Sequence, residues 1–310
     1  MLTKKFENVI NLILCLACIC FLLIYPAYCI EAAKDGLSTA LYIVLPSIFP
    51  FMVLSKFIVS SGIYNTLSKL TGNIFETAFG INKNLASVFI LGCLGGYPIG
   101  SVILSDLLKK NEISVNEAQH LVGICNNASP MFVIGTVGTL LLNNTNYGYI
   151  LYTVHFISVC LCGVIMKVIF RPEVTGSYCK SRQKSSSPLS EAVTSSGLNM
   201  VNVASYIIIF SVISEFVIML FKDTNCSFIL CLLEITNGIK HSVSSAMPEA
   251  LKLSMISFAI GFSGLCVFSQ SRAVFGELNI SFLKYFIAKS LTAIISFILS
   301  YLAFTNIFSH

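Results

Sequence analysis

The feature that most constrains the fold is an apolar segment from about Ala118 to Leu142, which is long enough to cross a bilayer but is interrupted at its centre. Asn126 and Asn127 are poor helix formers, whereas Ser129 followed by Pro130 is a typical helix start with a capping hydroxyl. We therefore predict a helix that stops at mid-membrane and restarts at Pro130, with a simple proline kink as the alternative. A break at that depth must face protein or a wet cavity, and transporters place binding sites at such breaks.

Composition places the whole chain in the membrane class. Of its 310 residues, 55% are hydrophobic and 11% are charged, and the mean hydropathy is +0.84. This length accommodates roughly seven to nine membrane segments and leaves little room for a soluble domain. The net charge of +5 is scattered through loops, which predicts helix orientation rather than nucleic-acid binding.

Neither metal chemistry nor catalysis is expected. The 12 cysteines lie mostly in apolar runs without the paired CxxC spacing of a zinc site, and disulfides are not implied. No catalytic or phosphate-binding motif is present, so we expect no enzyme activity and no cofactor.

A second interruption divides the apolar segment from Leu85 to Asp106. Gly95, Gly96, Tyr97 and Pro98 lie at its middle. These residues predict a re-entrant hairpin at about 85–106, whose tip reaches the membrane midplane and returns.

A third interruption lies in the segment at about 227–247, where Glu234, Thr236 and Asn237 fall among apolar residues. We predict a second hairpin there. An intramembrane carboxylate is a functional candidate by default, so Glu234 is a possible proton carrier or cation ligand. The structural alternative is a carboxylate bonded to backbone N–H groups at the hairpin tip. A fourth segment, 250–270, adds Ser263 and Gln270 as candidate site residues.

The order of these segments predicts a domain organisation with two halves. Short signatures recur in the same order, with Phe51–Ile58 resembling Phe210–Val217 and Ile134–Gly138 resembling Ile260–Gly264. The predicted parts are an N-terminal transmembrane helix or signal anchor (1–35, with its apolar run at 9–30), a first repeat (36–170, beginning with a helix at about 41–62), a cytoplasmic linker (171–197) and a second repeat (198–310).

The lysine and arginine distribution predicts that the two repeats are inverted. With a cytoplasmic amino terminus, the Arg171–Ser196 linker lies inside, and Lys34 and Lys222 lie outside. Lys56 is then expected to extend towards the nearer membrane surface, away from Glu215.

The runs LPSIFPFMVLSKF, LGCLGGYPIGS, CNNASPMFVIGTVG, LLEITNG and GFSGLCVFSQ resemble the nucleoside-recognition (Gate) domain family of bacterial membrane proteins, and within it the YlbJ type of sporulation integral membrane protein. The resemblance covers nearly the whole chain after residue 35. It implies a fold like that of concentrative nucleoside transporters and movement of dipicolinate across the outer forespore membrane. Phe268 departs from the pattern, where a histidine is expected. Carried over by position, the implied site residues are Gly95, Gly96, Tyr97, Pro98, Asn126, Asn127, Ser129, Pro130, Glu234, Thr236 and Asn237.

Together these observations predict an all-α polytopic membrane protein with two inverted repeats, re-entrant hairpins and discontinuous helices. The expected function is secondary transport of a small polar metabolite, with dipicolinate favoured and either H⁺ or Na⁺ open as the coupling ion. Half-helix starts at Pro130 and Pro98 carry partial positive charge, which favours an anionic substrate. The alternatives are a transporter of nucleosides or other neutral solutes, and a scaffold for spore maturation without transport.

Overall fold

The computed structural model describes residues 16–61, 63–172, 187–221, 226–276, 278 and 280–308. Predictions that concern residues 1–15, linker residues 173–186 and Lys222 lie outside the described residues. Within the described ranges the regular structure is entirely helical. The helices are α1 (Pro26–Ser61), α2 (Tyr64–Phe79), α3 (Ala86–Gly95), α4 (Ile99–Lys109), α5 (Val115–Cys125), α6 (Met131–Leu141), α7 (Thr145–Phe170), α8 (Pro188–Leu220), α9 (Ser227–Leu233), α10 (Ile235–Ser244), α11 (Glu249–Phe262), α12 (Gly264–Phe275) and α13 (Leu283–Phe308).

Five stretches of the described chain are long and apolar enough to span a membrane, namely α1, α7, α8, α11 with α12, and α13. A bent pair, 71–79 with 83–95, raises the number of candidate spans to 6. These helices confirm the predicted all-α polytopic architecture.

Helix α1 corrects the prediction of two separate helices at 9–30 and 41–62. It runs without interruption for 36 residues, through a π-helical stretch at Thr39–Val44, and it crosses the predicted boundary at residue 35. Gly36 lies within α1 and not in a turn. A Cβ at this position would lie 2.8 Å from Ser211 Oγ on α8. The missing side chain allows α1 and α8 to approach closely, as small residues do between membrane helices.

Helices α3 and α4 fold back on each other. A Cβ added at Gly92 or at Gly100 would lie 1.7 Å or 2.1 Å from the same atom, the carbonyl oxygen of Cys125. In a continuous helix these two glycines would be about 12 Å apart along the axis. The pair lies where the sequence predicts the first hairpin, and its turn contains Gly96, Tyr97 and Pro98.

Helices α9 and α10 form the corresponding pair in the second half. A Cβ at Gly238 would lie 2.5 Å from the Cα of Cys231, seven positions earlier in the chain. Such proximity requires a sharp reversal at Glu234, whose backbone is extended. With 7 and 10 residues, neither helix is long enough to cross the hydrocarbon core by itself.

Two other helices are interrupted rather than reversed. The chain is non-helical between α5 and α6, from Asn126 to Ser129. α6 is wound as a π-helix, a form that is rare and frequently found at functional sites. Helices α11 and α12 are separated only at Ser263, whose φ of 72° is left-handed.

One charged residue is positioned differently from the sequence prediction. Lys56 is buried and pairs with Asp106, near the end of α4, rather than extending to the membrane surface. The sequence offered no indication of this partner, because the two residues are 50 positions apart.

Candidate functional site

The turns of the two hairpins lie against the breaks of the two interrupted helices. Gly96, with φ of 86°, approaches Ser129 so closely that a Cβ would lie 3.0 Å from the serine Cβ. Gly264, with φ of 79°, approaches the other hairpin, where a Cβ would lie 3.3 Å from the Cα of Glu234. We call these the first contact (Gly96 with Ser129) and the second contact (Gly264 with Glu234).

A small cavity of about 30 Å³ lies between these contacts. It brings together five of the predicted site residues, Tyr97, Ser129, Glu234, Thr236 and Gln270. The rest of its lining is apolar and comes from α1, α6, α8, α10, α12 and the first break: Val44, Ile48, Ala128, Phe132, Val203, Ile207, Ile235 and Val267. One cavity is therefore built from both halves of the chain.

Other predicted residues lie near this cavity without lining it. Gly95 packs beside Ser55, since a Cβ there would lie 3.2 Å from Ser55 Oγ. Pro98 immediately precedes α4, and Pro130 immediately precedes α6. Ser263 is fully buried at the break between α11 and α12.

The two asparagines of the first break are engaged with protein groups rather than facing the cavity. Asn126 Nδ2 donates to Ser271 Oγ at 2.9 Å and to Tyr285 OH at 3.2 Å. Asn127 Nδ2 donates to the carbonyl of Ile124 at 2.8 Å. In this conformation both side-chain amides therefore donate to groups of the protein, and their role towards a substrate stays a prediction.

The side chain of Lys289, on α13, is the main feature that the sequence interpretation missed. Its Nζ donates to Asn127 Oδ1 at 3.0 Å and lies 5.3 Å from the centre of the Tyr97 ring and 5.9 Å from that of Tyr285. Lys289 is 2% exposed, and no ion pair with a carboxylate forms there among the described residues. A lysine within the apolar run at 283–308 was the available signal.

His155, on α7, also contacts the first break. Its Nε2 accepts a hydrogen bond from the backbone N–H of Ala128 at 3.3 Å. In the neutral imidazole this assigns the proton to Nδ1, which is buried and has no hydrogen-bond partner in the described part of the chain. Lys289 and His155 thus contact consecutive residues of the first break, where Lys289 donates to Asn127 and His155 accepts from Ala128.

The start of α6 is capped locally. Ser129 Oγ accepts from the N–H of Phe132 at 3.2 Å. This bond satisfies one of the free N–H groups that a helix start leaves, so the anion-binding capacity of this terminus is reduced but not removed.

At the second hairpin, Glu234 caps α10. Its Oε2 accepts from the N–H of Asn237 at 2.7 Å, and Asn237 Nδ2 donates to Ser211 Oγ on α8 at 3.1 Å. Lys240, on the same helix, donates to Thr39 Oγ1 on α1 at 2.7 Å. Glu234 also lines the cavity, so its structural contact and a role towards a ligand are compatible.

A tyrosine links the two halves at this point. Tyr97, in the first hairpin turn, donates its hydroxyl to the carbonyl of Ile260 on α11 at 3.1 Å. Its ring both lines the cavity and faces the ammonium of Lys289. Tyr97 therefore connects the cavity with the buried lysine.

The helices and their apolar surfaces define an integral membrane protein of the polytopic all-α class. The chain is similar to the sporulation integral membrane protein YlbJ of Bacillus subtilis (strain 168), with 26% identity over 314 aligned positions that cover 87% of this chain and 76% of that protein. This similarity confirms the resemblance to the YlbJ type. No protein-family model matches the chain, so the Gate-domain resemblance stays a prediction. No solved structure matches it.

Proposed function

We propose that the protein is a secondary membrane transporter of a small anionic metabolite in endospore formation, with dipicolinate as the favoured substrate. The observation that carries this proposal is the buried ammonium of Lys289, which bonds to the first helix break and contacts the cavity residue Tyr97. An ammonium out of water is costly unless an opposite charge approaches it. A substrate carboxylate can supply that charge and can leave again.

The cavity is nearly closed in this conformation. Its volume of about 30 Å³ has room for only a water molecule or two, whereas small-molecule sites measure roughly 300–1,000 Å³, so the proposed substrate requires the two hairpins to move apart. Its walls are mainly apolar with a few polar groups, which suits the chemistry of an aromatic dicarboxylate. The proposal involves no catalytic step.

The proposed architecture is a pair of inverted repeats, resembling concentrative nucleoside transporters. The support is that each half contributes one reversed pair of helices and one interrupted helix, and that both contacts border the same cavity. The YlbJ resemblance is the reason for proposing the forespore membrane as its location.

Transport of a neutral solute is the second candidate, and Glu234 favours it. A carboxylate in the cavity lining repels an anion when it is ionised, whereas it can accept hydrogen bonds from a nucleoside. The anionic proposal therefore requires Glu234 to be protonated or paired when substrate binds. A scaffold without transport does not account for the polar residues at both breaks, such as Ser129 and Glu234, because it needs none there.

A binding competition on purified protein separates the first two candidates. We expect dipicolinate to bind, and its uncharged diamide and uridine to bind at least about tenfold more weakly, because they cannot pair with Lys289. Lys289→Met should lose this preference. Lys284→Met is the matched control, since Lys284 lies on the same helix and stacks on Phe170 instead. Equal binding of the diamide or uridine would replace the anionic proposal with the neutral one.

Cysteine labelling tests the inverted arrangement. A cysteine in the predicted linker, between Arg171 and the start of α8 at Pro188, should react from the cytoplasmic side, and one in the Asn143–Asn146 turn from the opposite side. Helix α7 joins the two sites, and its 26 residues extend about 39 Å, enough for one crossing. Reaction of both sites from one side would contradict the inverted-repeat architecture.

A further inference from the structure

A groove of about 690 Å³, with many polar residues in its lining, lies at the end of the molecule where α4 and α12 finish and α8 begins. Along α8 its lining residues recur at helical spacing, so they form one continuous stripe. The polar residues of the stripe are Ser190, Glu191, Thr194, Ser195, Asn199 and Asn202. A polar stripe on a helix of this hydropathy indicates contact with water rather than with lipid.

The groove and the central cavity share three helices, α1, α8 and α12, and the fourth helix of the groove, α4, directly follows the hairpin turn that carries the cavity residue Tyr97. On each shared helix the groove residues and the cavity residues follow one another in sequence, so the two spaces are aligned end to end. From groove to cavity, the residues are Lys56, Ile48 and Val44 on α1, Asn202, Val203 and Ile207 on α8, and Val274, Gln270 and Val267 on α12. On α4 the order is Asp106 and then Val102, and Tyr97 lies just before the first residue of this helix, on the cavity side.

Burial increases along the same direction. On α4 the order is exposed Lys109, then Asp106 with its side chain 29% exposed, then buried Val102. On α8 the order is exposed Thr194, then half-buried Asn202, then buried Ile207. The groove therefore narrows towards the cavity.

Two polar contacts hold α4 against its neighbours at the narrow end. Lys56 pairs with Asp106 and joins α1 to α4. Ser105 Oγ donates to the carbonyl of Val274 at 2.9 Å and joins α4 to α12. Because α4 is one arm of the first hairpin, movement of that hairpin must break both contacts.

We propose that this groove is a water-filled vestibule through which the substrate reaches the cavity, and that the Lys56–Asp106 pair is its gate. The inference rests on the proposed transport function. An anionic substrate has the chemistry to open the gate, because its carboxylate can replace Asp106 as the partner of Lys56, while water in the groove solvates the released Asp106, whose side chain is 29% exposed. The gate then responds to the same charge that Lys289 recognises.

The vestibule is tested by thiol reactivity at two adjacent positions of α8. Val201 is 66% exposed and faces away from the groove, whereas Asn202 is half-buried and lines it. In the protein in membranes, Asn202→Cys should react with a charged, membrane-impermeant methanethiosulfonate at least about tenfold faster than Val201→Cys, because a thiolate forms only in water. The unsubstituted protein measures the background from native cysteines. Equal rates, or faster reaction at position 201, would overturn the vestibule.

The gate is tested at Val267→Cys, on the cavity side. Asp106→Asn should raise its reactivity towards the same reagent by about fivefold, the shift expected when an ion pair of ordinary strength is removed. The exchanged pair, Lys56→Asp with Asp106→Lys, should return the reactivity to its original value, which simple loss of folding cannot do. Unchanged reactivity in Asp106→Asn, or no return in the exchanged pair, would overturn the gate.

These measurements do not depend on transport. A reactive position 202 together with absent dipicolinate binding would contradict the proposed function while leaving the vestibule intact. Selective dipicolinate binding together with an unreactive position 202 would contradict the vestibule alone.

Discussion

The first and second contacts have similar geometry and differ in how their charges are satisfied. In each contact, a glycine with positive φ lies against a non-helical residue of another segment, Gly96 against Ser129 in the first contact and Gly264 against Glu234 in the second. Beside the first contact the charged group is Lys289, which has a neutral partner in Asn127 and no carboxylate partner in the described ranges. At the second contact the charged group is Glu234, which accepts a backbone N–H of its own hairpin.

This difference separates the expected roles of the two contacts. The ammonium of Lys289, beside the first contact, has N–H donors that no protein group pairs with in the described ranges. The proposed anionic substrate would supply the opposite charge that this ammonium lacks. The carboxylate at the second contact already stabilises the helix that follows it. We therefore expect substitutions near the first contact to affect substrate recognition more than stability, and substitutions at the second to affect both.

Lys289→Met should produce the largest effect. We expect transport of the anion to fall by at least about 30-fold, the lower range for removing one partner of a buried charge pair. Thermal stability should be unchanged or higher, because an apolar side chain of similar length replaces a buried charge. Flux into proteoliposomes and a melting curve in detergent measure the two quantities. Normal flux in Lys289→Met would remove the distinction between the contacts.

Alanine at the two glycines compares the contacts directly. Both substitutions place a side chain at positive φ, which costs about 1–3 kcal/mol. Gly264→Ala should be the more destabilising, because its Cβ meets backbone atoms of residues 233–235, the nearest at 3.0 Å. At Gly96 the nearest atoms are Cβ and Oγ of Ser129, at 3.0 Å and 3.1 Å, and the nearest backbone atom lies farther away, at 3.4 Å. Melting temperatures in the reverse order would contradict this account.

Glu234→Gln tests whether the charge at the second contact matters. Glutamine keeps an acceptor for the N–H of Asn237, so stability should change little, while transport should fall by up to about tenfold if ionisation contributes. Glu234→Ala serves as the comparison, since it also removes the cap and should lose about 1 kcal/mol of stability. A Gln variant with normal levels and normal flux would assign Glu234 a structural role only.

Ser129→Ala should have the smallest effect. It removes the hydroxyl that accepts from Phe132 N–H, which costs about 1 kcal/mol as for other N-caps. It also frees that N–H for an anion, so dipicolinate affinity should stay the same or rise slightly. A large loss of affinity, measured by the same competition experiment, would indicate direct contact between the hydroxyl and the substrate.

Local sequence patterns predicted where the chain is interrupted. The Asn-Asn and Ser-Pro pairs around residue 128, and the glycines before Tyr97, have strong backbone preferences that do not depend on partners. The position of Glu234 at a reversal followed from the interruption of an apolar run. These signals are local, and tertiary packing did not override them.

Long-range packing explains what the sequence did not reveal. Gly36, beside Lys34 and Asp35, has the composition of a turn, but its role is to let α8 approach α1. Lys289 and Lys56 acquire their partners from residues 162 and 50 positions away, and no local pattern encodes such a pairing. His155 similarly becomes notable only through its contact with Ala128.

The lengths of α1 and α8 have a consequence for the surrounding lipid. With 36 and 33 residues, they extend about 54 Å and about 50 Å, whereas the hydrocarbon core is about 30 Å thick. The two helices pack along each other, so they accommodate this mismatch together, by a shared tilt or by projecting from the bilayer. Because both also line the cavity, bilayer thickness acts on the shape of the cavity. A thick membrane holds these walls more upright, and a thin one inclines them.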